Sequence, residues 1–259
     1  MATMASMTAR IAPDDGQRPP FATLLRRLRQ ERRLSQLGLA LESEVAQRHI
    51  SFLESGRARP GRDVVLKLSR ALDLSLRTTN GLLNAAGLAA EAPETPIDAP
   101  ALRLPRAALR QLLDRIDPCP AIVVDASWTV HDFNGGAGRL IAAIARPEAL
   151  ARSAAGRAGP NLIALLDDPD GLLVPMPDRA EVLAHLRGEA PAPGSAPPGA
   201  PFLPATFQAP LGTLAFLTIL GGLASPRDIT LEELKVEIFF PADDATKAWV
   251  EGGSRVCSE

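Results

Sequence analysis

The apolar residues after Ser35 fall at helical spacing and are cut by short polar breaks. Leu39 and Ala40 supply one apolar face behind Ser35, whose hydroxyl can cap a helix; Gln36 sits in its exposed first turn. After a break at Ser43-Glu44, the apolar side of a second helix is given by Val45, Ile50 and Leu53. Gly56 is suited to end that helix in a left-handed conformation. Two more helical patterns follow, Asp63–Leu72 and Leu76–Ala86, the latter closed by Gly87. The pattern predicts an all-α domain whose second and third helices are joined by a tight turn.

Beyond Ala89 the texture changes. EAPETPIDAP, from Glu91 to Pro100, reads as a proline-extended connector. A helix is expected over Leu102–Ile116, with Leu109, Leu112 and Leu113 on its apolar face. Short strands are expected at Ala121–Val124 and Trp128–Phe133, and Asn134 opens a helix through Ile144. EAPAPGSAPPGAP, ending at Pro201, reads as a loop. Thr206–Ala209 and Thr213–Leu220 flank a Pro-Leu-Gly turn and predict a hairpin. The 14-residue apolar run Leu211–Ala224 is too short for a membrane span and suits a buried strand pair. Thr230-Leu-Glu-Glu233 has the form of a capping box and predicts a helix over Leu231–Phe240. Strands interleaved with helices imply an α+β second domain. The expected organisation is an arm at 1–19, a helical domain at 20–89, a linker at 90–100, an α+β domain at 101–250 and a tail at 251–259.

The pattern S-Q-x-x-L-A followed by I-S-x-x-E-x-G-x-x-x-P resembles the XRE type of lambda-repressor-like helix-turn-helix domain. That resemblance implies sequence-specific binding to duplex DNA, with the helix from Gln47 lying in the major groove. It also implies that Glu54 pairs with Arg29 of the first helix. Two positions depart from the family: Glu44 stands where Gly is common, so a positive φ would be strained there, and Ala46 offers no capping oxygen.

Charge agrees with a nucleic-acid partner. Up to Ala89 there are 14 Lys+Arg against 8 Asp+Glu, a surplus of six; the remainder has 14 against 22, so the chain totals −2. Helical spacing turns Ile50 and Leu53 inward, leaving Gln47, Arg48, Ser51 and Phe52 facing out. Gln reads adenine, Arg reads guanine, and Phe can touch a thymine methyl. Arg57, Arg59 and Arg62 are assigned to phosphates, and Gln36 is placed with the DNA-contacting set. His49 fits a phosphate contact or packing at the helix edge. Arg26, Arg27, Arg29, Arg32 and Arg33 fit either phosphate binding or solvation of an exposed face.

D-P-C-P-A-I-V-V-D-A-S-W-T-V-H-D-F-N and V-E-I-F-F-P-A-D-D-A-T resemble the MmyB-like ligand-binding domain found behind XRE domains. The resemblance implies a PAS-like sensor domain holding a fatty acid or similar apolar ligand. Eight of the ten aromatics lie in this half. Trp128, Phe133, Phe207, Phe216 and Phe239 are the candidate pocket lining, set against ordinary core packing. Arg139 or His131 is the candidate for a charged ligand head.

Other chemistries find little support. Cys119 and Cys257 give neither a disulfide framework nor metal spacing. No H-E-x-x-H occurs, and His49, His131 and His185 are scattered. Gly135-Gly-Ala-Gly138 fits no nucleotide-binding fingerprint and reads as a helix entry. The chain is expected to be a cytoplasmic, non-enzymatic regulator without metal or membrane segment, acting on duplex DNA as a homodimer. The alternative is a DNA-binding protein whose second domain only dimerises or binds a protein partner.

Overall fold

The computed structural model describes residues 20–176, 179–188 and 205–252. The expected N-terminal arm, the proline-rich stretch before Pro201, Phe202, Cys257 and most of the tail lie outside these residues. The chain divides into two compact units. Of the described residues, one comprises 20–96 together with Ser225–Glu232; the other holds those from Ile97 to Ala224 and from Glu233 to Gly252.

The helical unit contains α1 (Phe21–Glu31), α2 (Gln36–Ser43), α3 (Gln47–Glu54), α4 (Arg62–Ala71) and α5 (Leu76–Ala85). Local chemistry fixes their ends. Ser35 and Ser75 cap α2 and α5, accepting from Gly38 N at 2.9 Å and Thr78 N at 3.2 Å. Gly56 and Gly87 leave α3 and α5 at φ 72° and 76°. Glu44 ends α2 at φ 56°, ψ 27°, so a side-chain-bearing residue occupies the left-handed conformation that the tight turn demands. α3 begins at Ala46 without a side-chain cap. Leu25, Leu39, Ile50, Leu53, Val65, Leu68, Leu82 and Leu83 are fully buried and form the core between the five helices. The connector does not leave this unit at Ala89. The Asn80 side chain accepts from Glu91 N and Ala92 N and donates to Ala92 O, and Ala92 is buried.

The α+β unit opens with a 3-10 turn at Pro100–Leu102 and α6 (Arg103–Ile116). Leu109 and Leu113 of α6 are buried, whereas Leu112, expected on the same face, is exposed. Then come β1 (Ala121–Val124), β2 (Val130–Phe133), α7 (Gly135–Ile144), α8 (Pro147–Ala154), α9 (Leu162–Asp167), α10 (Arg179–Leu186), β3 (Ala205–Ala209) and β4 (Gly212–Gly222). α11 (Ile229–Glu233) belongs by its packing to the helical unit, and β5 (Lys235–Pro241) and α12 (Asp244–Gly252) are the last described elements. The five strands form one antiparallel sheet in the order β2-β1-β5-β4-β3. Asn134 caps α7 through Ala137 N, so the glycine-rich stretch is a helix entry, as read from the sequence.

Two expectations fail here. The run Leu211–Ala224 is not a strand pair but mostly one eleven-residue strand, β4. The helix expected over Leu231–Phe240 is a five-residue helix followed by the middle strand of the sheet. Asp228 provides the cap, its Oδ1 accepting from Thr230 N at 2.9 Å, while the Thr230 hydroxyl donates to Thr95 O. Lys-Val-Glu-Ile-Phe-Phe then alternates across the sheet, with β1 and β4 on either side. Strand pairing outweighs the local cap because β-branched and aromatic side chains pack best on a half-buried pleat.

Candidate nucleic-acid interface and ligand groove

α3 is held against α1 by a charge cluster beneath its outer face. Arg29 Nε and Nη2 donate to the two carboxylate oxygens of Glu54 at 2.6 and 2.9 Å, and Gln36 Nε2 donates to Glu54 at 2.9 Å. Burial pushes the Glu54 carboxyl up, but hydrogen bonds from Arg29 and Gln36 and the nearby guanidinium charges outweigh it and hold the group below its ordinary range. Arg29 Nη1 also donates to Leu34 O, tying the α1–α2 turn to the same cluster. The expected Arg29–Glu54 pair is therefore present, and it fixes the pitch of α3 relative to α1.

On the outer face of α3, Gln47 and Arg48 are exposed, and His49, Ser51 and Phe52 are partly exposed. The Arg48 guanidinium lies over the Phe52 ring at 5.3 Å, which orders a long cationic side chain on the surface. Arg57 and Arg59 are exposed in the loop after α3. Gln36 instead turns one amide hydrogen inward to Glu54. Arg62 is also engaged: it donates to Ala89 O at 2.7 Å and pairs with Glu91, securing the connector. Arg32 bonds Asp73 O at 2.6 Å, and Arg27 pairs with Glu31. Arg48, Arg57 and Arg59 thus present exposed guanidinium groups on α3 and the loop that follows it, as do Arg26 and Arg33 at α1 and the turn after it.

In the α+β unit, four of the five predicted lining aromatics are packed into the core. Phe207, Phe216 and Phe239 form a mutual edge-to-face trio with centroids 6.0 Å apart. Trp128 is buried, and its indole N–H donates to Leu186 O at 2.7 Å. Phe133 behaves differently. It is 47 % exposed and stands at a groove of about 380 Å³ lined by Val130, Gly138, Ile141, Ala142, Ala145, Pro147, Leu150, Pro160 and Leu173. The lining is almost wholly apolar, and its volume lies at the small end of the roughly 300–1,000 Å³ usual for ligand sites. Leu173 also borders an adjoining pocket of about 270 Å³ that carries Arg146, Asp170 and Arg179, the last donating to Asp167 O and Asp168 O.

Neither predicted head-group residue lines the groove. His131 Nε2 is bonded to Asp125 Oδ2 at 2.9 Å, and Arg139 Nη2 donates to Pro118 O. Asp125 gathers the β1–β2 turn: burial raises its pKa, but His131, Ser127 and two backbone amides more than offset that and bring it to about 2. Ser127 donates its hydroxyl to Asp125 rather than to His131, so the trio lacks the nucleophile-to-base contact of a hydrolytic triad. Among the described residues no group of three or more His, Cys, Asp or Glu is placed to hold a metal ion, and no helix is long and apolar enough to cross a membrane.

Comparison with known proteins agrees with this division. The helix-turn-helix family matches residues 25–78, which run from within α1 into α5. The MmyB-like transcription regulator ligand binding domain matches residues 105–201, which include the Asp125 turn and the whole groove lining. No curated protein matches the chain. An outward-facing α3 and a second unit carrying an apolar groove thus coincide with the two matched regions: the chain joins an XRE-type helix-turn-helix to an MmyB-like ligand-binding domain, the architecture of a DNA-binding transcription regulator.

Proposed function

We propose that this regulator binds a pseudo-palindromic operator as a homodimer and senses an apolar small molecule, a fatty acid or close acyl relative, in the groove beside Phe133. The groove carries this reading. It offers apolar walls with an aromatic rim, and small residues at Gly138, Ala142 and Ala145 leave the space open. Arg146, in the adjoining pocket, supplies the cation that a carboxylate head would meet. Operator reading falls to Gln47, Arg48, Ser51 and Phe52, with Arg57 and Arg59 on phosphates and His49 beside them. Gln36 and Arg62 support that surface through Glu54 and the connector.

The test is a titration of saturated fatty acids of increasing length, read by thermal melting and by operator binding. Melting should rise with ligand concentration through mass action. Arg146→Ala should weaken binding of the acids and leave the corresponding alcohols unchanged. Unchanged melting across the series removes the acyl ligand. Raised melting with constant operator affinity leaves a lipid-binding domain without a switch.

A second reading has its own support. On the sheet face opposite the aromatic trio, Leu217, Ile219 and Phe240 are 38, 50 and 36 % exposed on adjacent strands. An apolar strip of this kind suits a second copy of the chain about a two-fold axis, with the domain serving dimerisation alone. Leu217→Glu would then yield a monomer while ligand binding stayed absent in the parent protein.

A further inference from the structure

The residues joining β4 to β5 pack with the DNA-binding unit, not with the sheet whose strands they connect. Asp228 and Ile229 are buried there. Ile229 N donates to Pro93 O at 2.9 Å, Thr95 N donates to Asp228 Oδ2 at 3.2 Å, and the Thr230 hydroxyl donates to Thr95 O at 2.7 Å. Glu232 Oε2 accepts from Leu76 N at 2.8 Å, one of the first-turn amides of α5 that the helix itself cannot satisfy. The carboxylate also sits at the positive end of that ten-residue helix. The segment and the stretch Pro93–Thr95 thus bind each other through both backbone and side chains, and α5 is closed from outside its own sequence neighbourhood.

We propose that Ser225–Glu232 is a latch: an internal peptide that the DNA-binding unit holds, and through which the state of the β4–β5 ladder is read by α5 and the connector. The argument is one of chain length. The ladder runs to the pair Gly222–Lys235, and only Leu223-Ala224 and Glu233-Leu234 separate that pair from the latch. Each link, Gly222 to Ser225 or Glu232 to Lys235, is three Cα–Cα steps and spans at most roughly 11 Å. The end of the ladder therefore cannot splay or shift its register by more than this without pulling on the latch. α5 packs against α1 and α4, so its first turn is part of the scaffold that supports α3. The DNA-binding unit has three covalent links to the other unit, one at Pro96 and one on each side of the latch. Linkage then requires reciprocity: if the latched form binds operator better, operator tightens the latch. This rests on the DNA-binding role and not on the identity of the ligand.

Hydrogen exchange on the full-length protein tests it, using a duplex that the wild-type protein selects from a random pool. The amides of Leu76, Thr95 and Ile229 should be protected in the free protein. Glu232→Ala should speed exchange at Leu76 about tenfold or more, and Asp228→Ala should do the same at Thr95 and Thr230. Glu232→Gln keeps an acceptor and should stay within about threefold of wild type. By the same reciprocity the amides at the latch end of the β4–β5 ladder, near Gly222 and Lys235, should exchange several-fold faster in Glu232→Ala, and saturating duplex should slow Ile229 several-fold in the wild type. Exchange of Ile229 and Leu76 at the unstructured-chain rate would show that the latch is not docked. A ladder end whose exchange is unmoved while Leu76 accelerates would show that the latch does not report on the sheet. An Ile229 rate indifferent to duplex would remove the coupling. Any of these overturns the proposal.

Discussion

Glu237 offers the sharpest quantitative test of the α+β unit. It lies on the middle strand between Ile122 of β1 and Leu220 of β4, on the same side of the sheet as Phe239 two residues on. Burial alone pushes its carboxyl up from 4.5 to about 7. Because the folded-state value is raised, the unfolded chain loses its proton first as pH rises. Stability attributable to this group is complete below about pH 4.5, declines between about 4.5 and 7, and is gone above that. A gap of this size corresponds to at most about 3 kcal/mol at 1.36 kcal/mol per pH unit. Glu237→Gln keeps the side chain's size and removes the charge. It should be close to neutral at about pH 5 and stabilising by about 2–3 kcal/mol at about pH 8, a rise of roughly 4–12 °C in the melting of a domain this size. Differential scanning calorimetry of both proteins across that range isolates the effect, since every other titrating group is common to the two. Parallel stability-versus-pH curves for wild type and variant would refute the reasoning.

Other perturbations address the DNA-binding unit. Glu54→Ala leaves Arg29 buried without its partner and should cost about 3 kcal/mol in chemical denaturation of the full-length protein. Since the Glu54 pKa is lowered on folding, its contribution is present above the ordinary carboxylate range and is lost as pH falls through and below it. Glu44→Gly relieves the left-handed backbone and loses only an exposed contact to Lys67; it should raise the denaturation midpoint by the equivalent of about 0.5–1 kcal/mol with the slope unchanged. Arg48→Ala should cost about 1–3 kcal/mol at one operator position and relax specificity there, measured by binding to single-base variants. Arg59→Ala should weaken binding to all sequences alike and reduce the salt slope by about one; identical behaviour of the two would undo the division between reading and positioning.

The helical unit was legible almost residue by residue because its signals are local. Ser35, Gly56 and Gly87 mark element ends through their own backbone chemistry, and Ile50 and Leu53 declare an inward face by spacing alone. β5 was not legible in this way. Thr230 and Glu233 have the spacing of a helix start, and only pairing with β1 and β4, far away in sequence, makes Lys235–Pro241 a strand. The groove eluded the aromatic criterion for a related reason. Large rings such as Phe216 and Phe239 fill space, while the opening arises where Gly138, Ala142 and Ala145 leave it empty, and small residues on a helix carry no distinguishing mark in sequence. Spacing places Arg62 and Gln36 with the DNA-contacting residues, and their intramolecular partners, the connector and Glu54, are brought to them only by the fold.

The placement of Trp128 gives this protein a built-in optical label. Its two tryptophans, Trp128 and Trp249, both lie in the α+β unit, the chain has no tyrosine, and the helical unit carries only Phe21 and Phe52 as aromatics. Tryptophan emission is therefore blind to the DNA-binding half. Because the Trp128 indole is buried and anchored to Leu186, its emission will shift to the red when the β1–β2 turn parts from α10. Comparing that shift with the loss of helical circular dichroism, to which both units contribute, separates the melting of one unit from the other in an unmodified, full-length molecule.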